Sequence, residues 1–119
     1  DNLMKYLNLL LSILMFLFVF VQFNDPDFYY WGIIYSIPAF SSGLVFLNPK
    51  IINKLSSQLL FIILFIGIIF LTGFYWPKNS LWWEVDIWWN TEAVREGMGM
   101  MISSIVMIIS ALTFKLKNR

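Results

Sequence analysis

Residues 55–77 read LSSQLLFIILFIGIIFLTGFYWP, a run without one charged side chain. In a helix, about 20 such residues cross the roughly 30 Å of hydrocarbon in a bilayer, and this run is long enough. Working outward, residues 6–24, 28–49 and 97–114 are equally free of charge. Four transmembrane helices are therefore predicted, at about 4–24, 28–47, 52–76 and 93–114. The fold class expected is an all-α, four-helix transmembrane bundle forming a single integral membrane domain over residues 1–119. The first run follows Lys5, as a secretion signal would. No small-x-small cleavage site comes after it, and Gln22-Phe23-Asn24-Asp25-Pro26 reads as a turn, so it is taken as a span.

Composition supports lipid as the solvent. Of the 119 residues, 60% are hydrophobic and only 13% charged, whereas soluble domains run nearer 45–50% and about 25%. So short a chain has too little interior to hide that surface from water. The net charge of +1 and the lack of a basic patch with interleaved aromatics argue against nucleic-acid binding. The chain has no Cys and no His. Disulfides, thiolate nucleophiles, imidazole bases, zinc sites and cysteine-held clusters are thereby excluded. No glycine-rich nucleotide loop is present, so no cofactor is expected; a metal would have to be oxygen-ligated, Ca²⁺ or Mg²⁺.

Turn chemistry marks the helix ends. In Asp25-Pro26-Asp27, Asp25 suits an N-cap, Pro26 the first helical position and Asp27 the positive end of the helix dipole. Asn48-Pro49 repeats the device before the third span, Pro77 closes that span, and Asn90 or Thr91 can cap the fourth ahead of Glu92. Pro38 falls inside the second span and predicts a kink, with Ser36, Ser41 and Ser42 near enough to serve freed backbone groups. Gly67, Gly73, Gly97, Gly99, Ser103 and Ser104 are small residues that let helices approach closely in lipid. Asn8, Ser12 and Gln22 are read as interhelical hydrogen-bonding groups. No ionisable residue lies mid-span, which disfavours a pump or transporter.

Lys5, Lys50, Lys54, Lys115, Lys117 and Arg119 flank one face of the membrane, against Lys78 and Arg95 on the other. The positive-inside rule then places both termini in the cytoplasm. The opposite face holds all the carboxylates except Asp1, and every Trp lies on it or at its boundary. The Trp-rich segment between the third and fourth spans is too apolar for solvent and too short to cross, so it is expected to lie in the interface. Trp76, Trp82, Trp83, Trp88 and Trp89 then act as interfacial anchors or as docking aromatics. The alternative is that indoles and carboxylates line a pocket for a cationic headgroup, a sugar or a quinone-like ring. Glu92, Arg95 and Glu96, at i, i+3 and i+4, share one face of the last helix's first turn. They are read as an ion-pair staple to the first loop, or as a polar pocket for a ligand or partner.

Two motifs on that same face are similar to those of the transmembrane protein 220 family. The first is Asn24-Asp25-Pro26-Asp27 followed by Trp31, Tyr35 and Pro38-Ala39; the second is Glu92-x-x-Arg95-Glu96-x-x-Gly99. The resemblance implies a small four-helix membrane protein, of a kind found in bacteria and eukaryotes, and supplies no catalytic residues. Asn24, Asp25, Asp27, Trp31, Tyr35, Glu92, Arg95 and Glu96 form the candidate site.

The function expected is that of a small non-enzymatic accessory or scaffold subunit of a larger membrane complex, docking through its outer acidic and aromatic face. The alternative is a lipid-, quinone- or divalent-cation-binding protein, or an enzyme, that uses the carboxylate and Arg pocket. Expected partners are membrane lipids and other integral membrane subunits. Brevity and Ile/Lys richness point to a bacterial cytoplasmic membrane.

Overall fold

A computed structural model describes residues 2–47, 50, 54–78 and 81–117. The chain forms α1 (Asn2–Val21), a 3-10 turn (Gln22–Asn24), α2 (Phe28–Leu47), α3 (Leu55–Phe74), α4 (Val85–Asn90) and α5 (Glu92–Lys117). Four of the helices, all but α4, are long and apolar enough to span a membrane, and no strand occurs among the described residues. The protein is an all-helical integral membrane protein.

Each boundary has a local cause. The Asp25 carboxylate accepts the Asp27 N–H at 3.0 Å, and its carbonyl accepts the Phe28 N–H at 3.1 Å, so Asp25 caps the start of α2 as its sequence context predicts. Helix α3 gives way at Tyr75, two residues before Pro77. At the start of α5, the Thr91 carbonyl accepts the Arg95 N–H; the Asn90 side chain instead turns back to the Asp86 carbonyl inside α4. The cap proposed at Asn48-Pro49 lies outside the described residues.

Helix α2 runs unbroken through Pro38, which is buried. The nearby hydroxyls are used elsewhere than anticipated: Ser36 donates to Ile33, Ser41 to Ile37, and Ser42 pairs with Ser110 of α5. Proline's ring frees the carbonyl of Ile34, four residues back, and none of these three serines reaches it.

Helices α2 and α5 form the centre. Half of each span is buried, against 17% for α1 and 6% for α3. Helix α1 packs chiefly on α2, and α3 chiefly on α5. Met15, Trp31, Tyr35, Ala39, Ile68, Met100 and Met107 make up much of the shared core. On α3 the outer stripe is bare: Ile63 is 65% and Phe70 is 70% exposed. Each such side chain left in water costs roughly 1.5–3 kcal/mol relative to burial, so acyl chains or another apolar surface must cover this helix.

A ladder of small polar groups joins the helices towards the end that carries the termini. Asn8 donates to Thr113 at 2.7 Å and accepts from Ser110, Ser110 meets Ser42, and Ser12 donates to the Ala39 carbonyl. Among the described residues no buried side-chain nitrogen or oxygen lacks a partner. That satisfaction is what lets such groups sit at hydrocarbon depth. Gln22, expected like Asn8 and Ser12 to bond between helices, instead donates back along the chain to the Phe18 carbonyl of α1.

Candidate functional site

At the opposite end a cavity of about 600 Å³ lies between α1, α2 and α5, with α4 along its rim. Helix α2 supplies Trp31 and Tyr35, one turn apart and both buried. Their rings lie 5.7 Å apart, Phe18 meets Tyr35 edge-on at 5.6 Å, and Tyr75 meets Trp31 at 5.0 Å. The Tyr75 hydroxyl bonds Tyr30 at 2.8 Å, which carries the aromatic cluster across to α3.

Helix α5 supplies Glu92, Arg95 and Glu96 from its first turns, and Asp25 closes the wall from the first loop. The Glu96 carboxylate interacts with the Trp31 indole and lies within the fields of Glu92, Asp25 and Asp27. Six of the eight candidate residues read from the sequence thus line one cavity: Asp25, Trp31, Tyr35, Glu92, Arg95 and Glu96. Asn24 and Asp27 do not line it; both are exposed beside it.

The contacts of Arg95 differ from the ion pair anticipated. Its Nη1 donates to the backbone carbonyls of Trp88, at 3.2 Å, and of Trp89. These belong to the last turn of α4, whose carbonyls have no partner within so short a helix, and a cation is favoured at that negative end. Arg95 therefore ties α4 to α5. Replacing Arg95 by Ala should loosen α4 while leaving the spans in place. Hydrogen exchange of the backbone amides at 87–90 is expected to quicken about tenfold, equivalent to about 1.4 kcal/mol for one charge-assisted tie; exchange at the wild-type rate would show that α4 is held by its Trp side chains alone.

Trp88 and Trp89, read from the sequence as interfacial anchors or docking aromatics, line the cavity, with their rings 5.8 Å apart and nearly perpendicular. Trp76 lines a second cavity of about 310 Å³ with Tyr75, Pro77 and Lys78. Trp82 and Trp83 line neither; they continue an edge-to-face chain from Trp76.

Sequence reasoning missed the rest of the lining, which is mostly apolar: Phe18 and Val21 of α1 with Gln22 just beyond it, and Met98, Gly99 and Ile102 of α5. Their spacing held a signal. Phe18 and Val21 fall at i and i+3, and Arg95, Met98, Gly99 and Ile102 at i, i+3, i+4 and i+7, one face of each helix. Among the described residues no group of three or more acidic side chains is arranged to hold a metal ion.

Fold and cavity together define a class: a four-span integral membrane protein with an aromatic, carboxylate-edged pocket at one end of its bundle. Residues 14–112 match the family described as "Transmembrane family 220, helix", and the chain belongs to that family. Transmembrane protein 220 of Xenopus laevis is 37% identical over 92 residues, covering 71% of this chain and 46% of the relative. The chain thus spans about half the length of that relative. No solved structure matches. A eukaryotic relative lends no support to a bacterial membrane, which rests on composition alone.

Proposed function

We propose that this protein binds a single membrane amphiphile in the cavity between α1, α2 and α5. The observation that carries the reading is the cavity's polarity. Its wall passes from Asp25, Glu92 and Arg95 through Trp31 and Tyr35 to Phe18, Met98 and Ile102. A volume of about 600 Å³ falls within the roughly 300–1,000 Å³ usual for small-molecule sites. A headgroup fits the charged rim, and the first segment of an acyl or isoprenoid chain fits the apolar wall. By the positive-inside rule the rim faces away from the cytoplasm. A bacterial cytoplasmic membrane is the host that composition favours.

Gentle extraction from the native membrane followed by native mass spectrometry tests the reading. One amphiphile per chain is expected in the wild type, with none in Met98→Trp, whose ring would take up space along the apolar wall from a position outside the core cluster. Equal lipid content in both would refute it.

The accessory-subunit reading has its own support. Helix α3 is nearly bare, and Trp83 and Trp89 are 57% and 67% exposed, so a partner helix or subunit has a surface to take. A protein copurifying at fixed ratio in the same experiment would favour it, and loss of that partner on substituting Phe70 and Trp83 would locate the contact.

A further inference from the structure

We infer that the head of the bound amphiphile carries a positively charged nitrogen, an ammonium or quaternary ammonium such as a zwitterionic phospholipid presents. The inference rests on the binding reading above and adds to it the chemistry of the ligand. The balance of charge along the wall comes first. Asp25, Glu92 and Glu96 line the cavity against the single cation Arg95, and Asp27 adds its field from just outside. The Nη1 of Arg95 is turned to the carbonyls of α4 rather than to these carboxylates. The carboxylates are therefore crowded at the edge of a low-dielectric medium, where like charges repel strongly. A cation entering the cavity relieves that repulsion, whereas an anionic head meets it directly.

The walls are suited to the same group by a separate property. Trp31, Tyr35, Trp88 and Trp89 bring aromatic rings to the cavity, and the negative faces of such rings attract an ammonium, methylated or not. Aromatic rings with carboxylates recognise a charged nitrogen in a way that neither does alone. Distance along α5 fits a lipid. From Glu92 to Ile102 the helix rises about 15 Å, roughly the depth from a headgroup to the upper acyl chain. A hydrophilic cation would leave the apolar half of the cavity, Phe18, Met98 and Ile102, in contact with nothing suited to it.

The test uses the full chain in nanodiscs made from equal parts of phosphatidylcholine, phosphatidylglycerol and diacylglycerol with identical acyl chains. Native mass spectrometry of the ejected protein counts the lipid that stays bound. One lipid per chain is expected, with phosphatidylcholine enriched about tenfold over phosphatidylglycerol relative to the bulk ratio. Glu92→Gln and Glu96→Gln, singly and together, should bring that ratio towards the bulk value. Gln matches Glu in size and keeps an acceptor oxygen, so charge is removed with little change of geometry. One retained lipid with no headgroup preference, or a preference the variants do not alter, overturns the ammonium inference and leaves amphiphile binding standing. No lipid retained beyond that held by Met98→Trp overturns both.

Discussion

Gly97→Ala is expected to destabilise the protein by about 1–3 kcal/mol, against the gain of up to about 1 kcal/mol that Ala normally brings to a helix. A methyl at this position would press into the carbonyl oxygen of Tyr75 and lie 2.8 Å from both Cδ and Cγ of Pro77. None of these atoms is the free end of a flexible side chain. The carbonyl is main chain and the ring is fixed to it, so relief requires α5 to move away from the segment that follows α3. Because Glu96 precedes Gly97 and the cavity wall follows, that movement should also reduce retained amphiphile. Reversible unfolding in mixed detergent micelles measures the first effect. Gly67→Ala and Gly73→Ala are the matched controls, since a Cβ at either meets nothing within 4 Å; they should be neutral or slightly stabilising. Equal stability of all three variants would show that α5 does not approach Pro77 as closely as described.

Gly99→Ala is expected to cost a similar amount through a different contact. Its methyl would run into the Tyr35 hydroxyl, with Cζ at 2.9 Å and Cε1 at 3.1 Å. Tyr35 is 5% exposed and held by Phe18 and Trp31, so the ring has little room to turn aside. Tyr35→Phe removes the atom that collides hardest. The double variant Gly99→Ala with Tyr35→Phe should recover about 1 kcal/mol relative to the sum of the single changes, the coupling usual for residues in contact. Strict additivity would separate the two residues. The pair matters for function because Tyr35 and Gly99 come from different motifs and line the same cavity. Their contact fixes the width between α2 and α5.

Much of this was legible from the chain. Asp25 caps α2 as predicted, because capping depends on residues adjacent in sequence. The acidic rim was legible too, since Asp25 and Glu92 begin successive downward helices and so fall at one end of any four-span arrangement. Asn8 and Ser12 make the interhelical bonds expected of polar groups in lipid. Less was legible where the partner lies far away in sequence. Gly67 and Gly73 resemble Gly97 and Gly99 in type and setting, yet only the latter two have another helix or turn against them. Arg95 has acidic neighbours at i−3 and i+1, and nothing in the sequence says that it would turn to the carbonyls of α4 instead. Trp88 and Trp89 have the character of membrane anchors; their place at the cavity shows only once α4 is packed against α5.

What the sequence determined by itself is membrane residence, the four spans, and the end of the bundle at which the charged and aromatic residues collect. These follow from hydrocarbon thickness and from the cost of unpaired polar groups in lipid, which act on each segment separately. Only the tertiary structure decided that α2 and α5 form the centre while α1 and α3 flank them, that Tyr35 meets Gly99, and that a cavity lies between α1, α2 and α5. In lipid no strong difference in hydrophobicity tells one face of a helix from another. Helix order is set by the sum of many small packing and hydrogen-bond contacts, from Asn8 to Thr113 and from Ser42 to Ser110, and those pairs exist only once the helices have met.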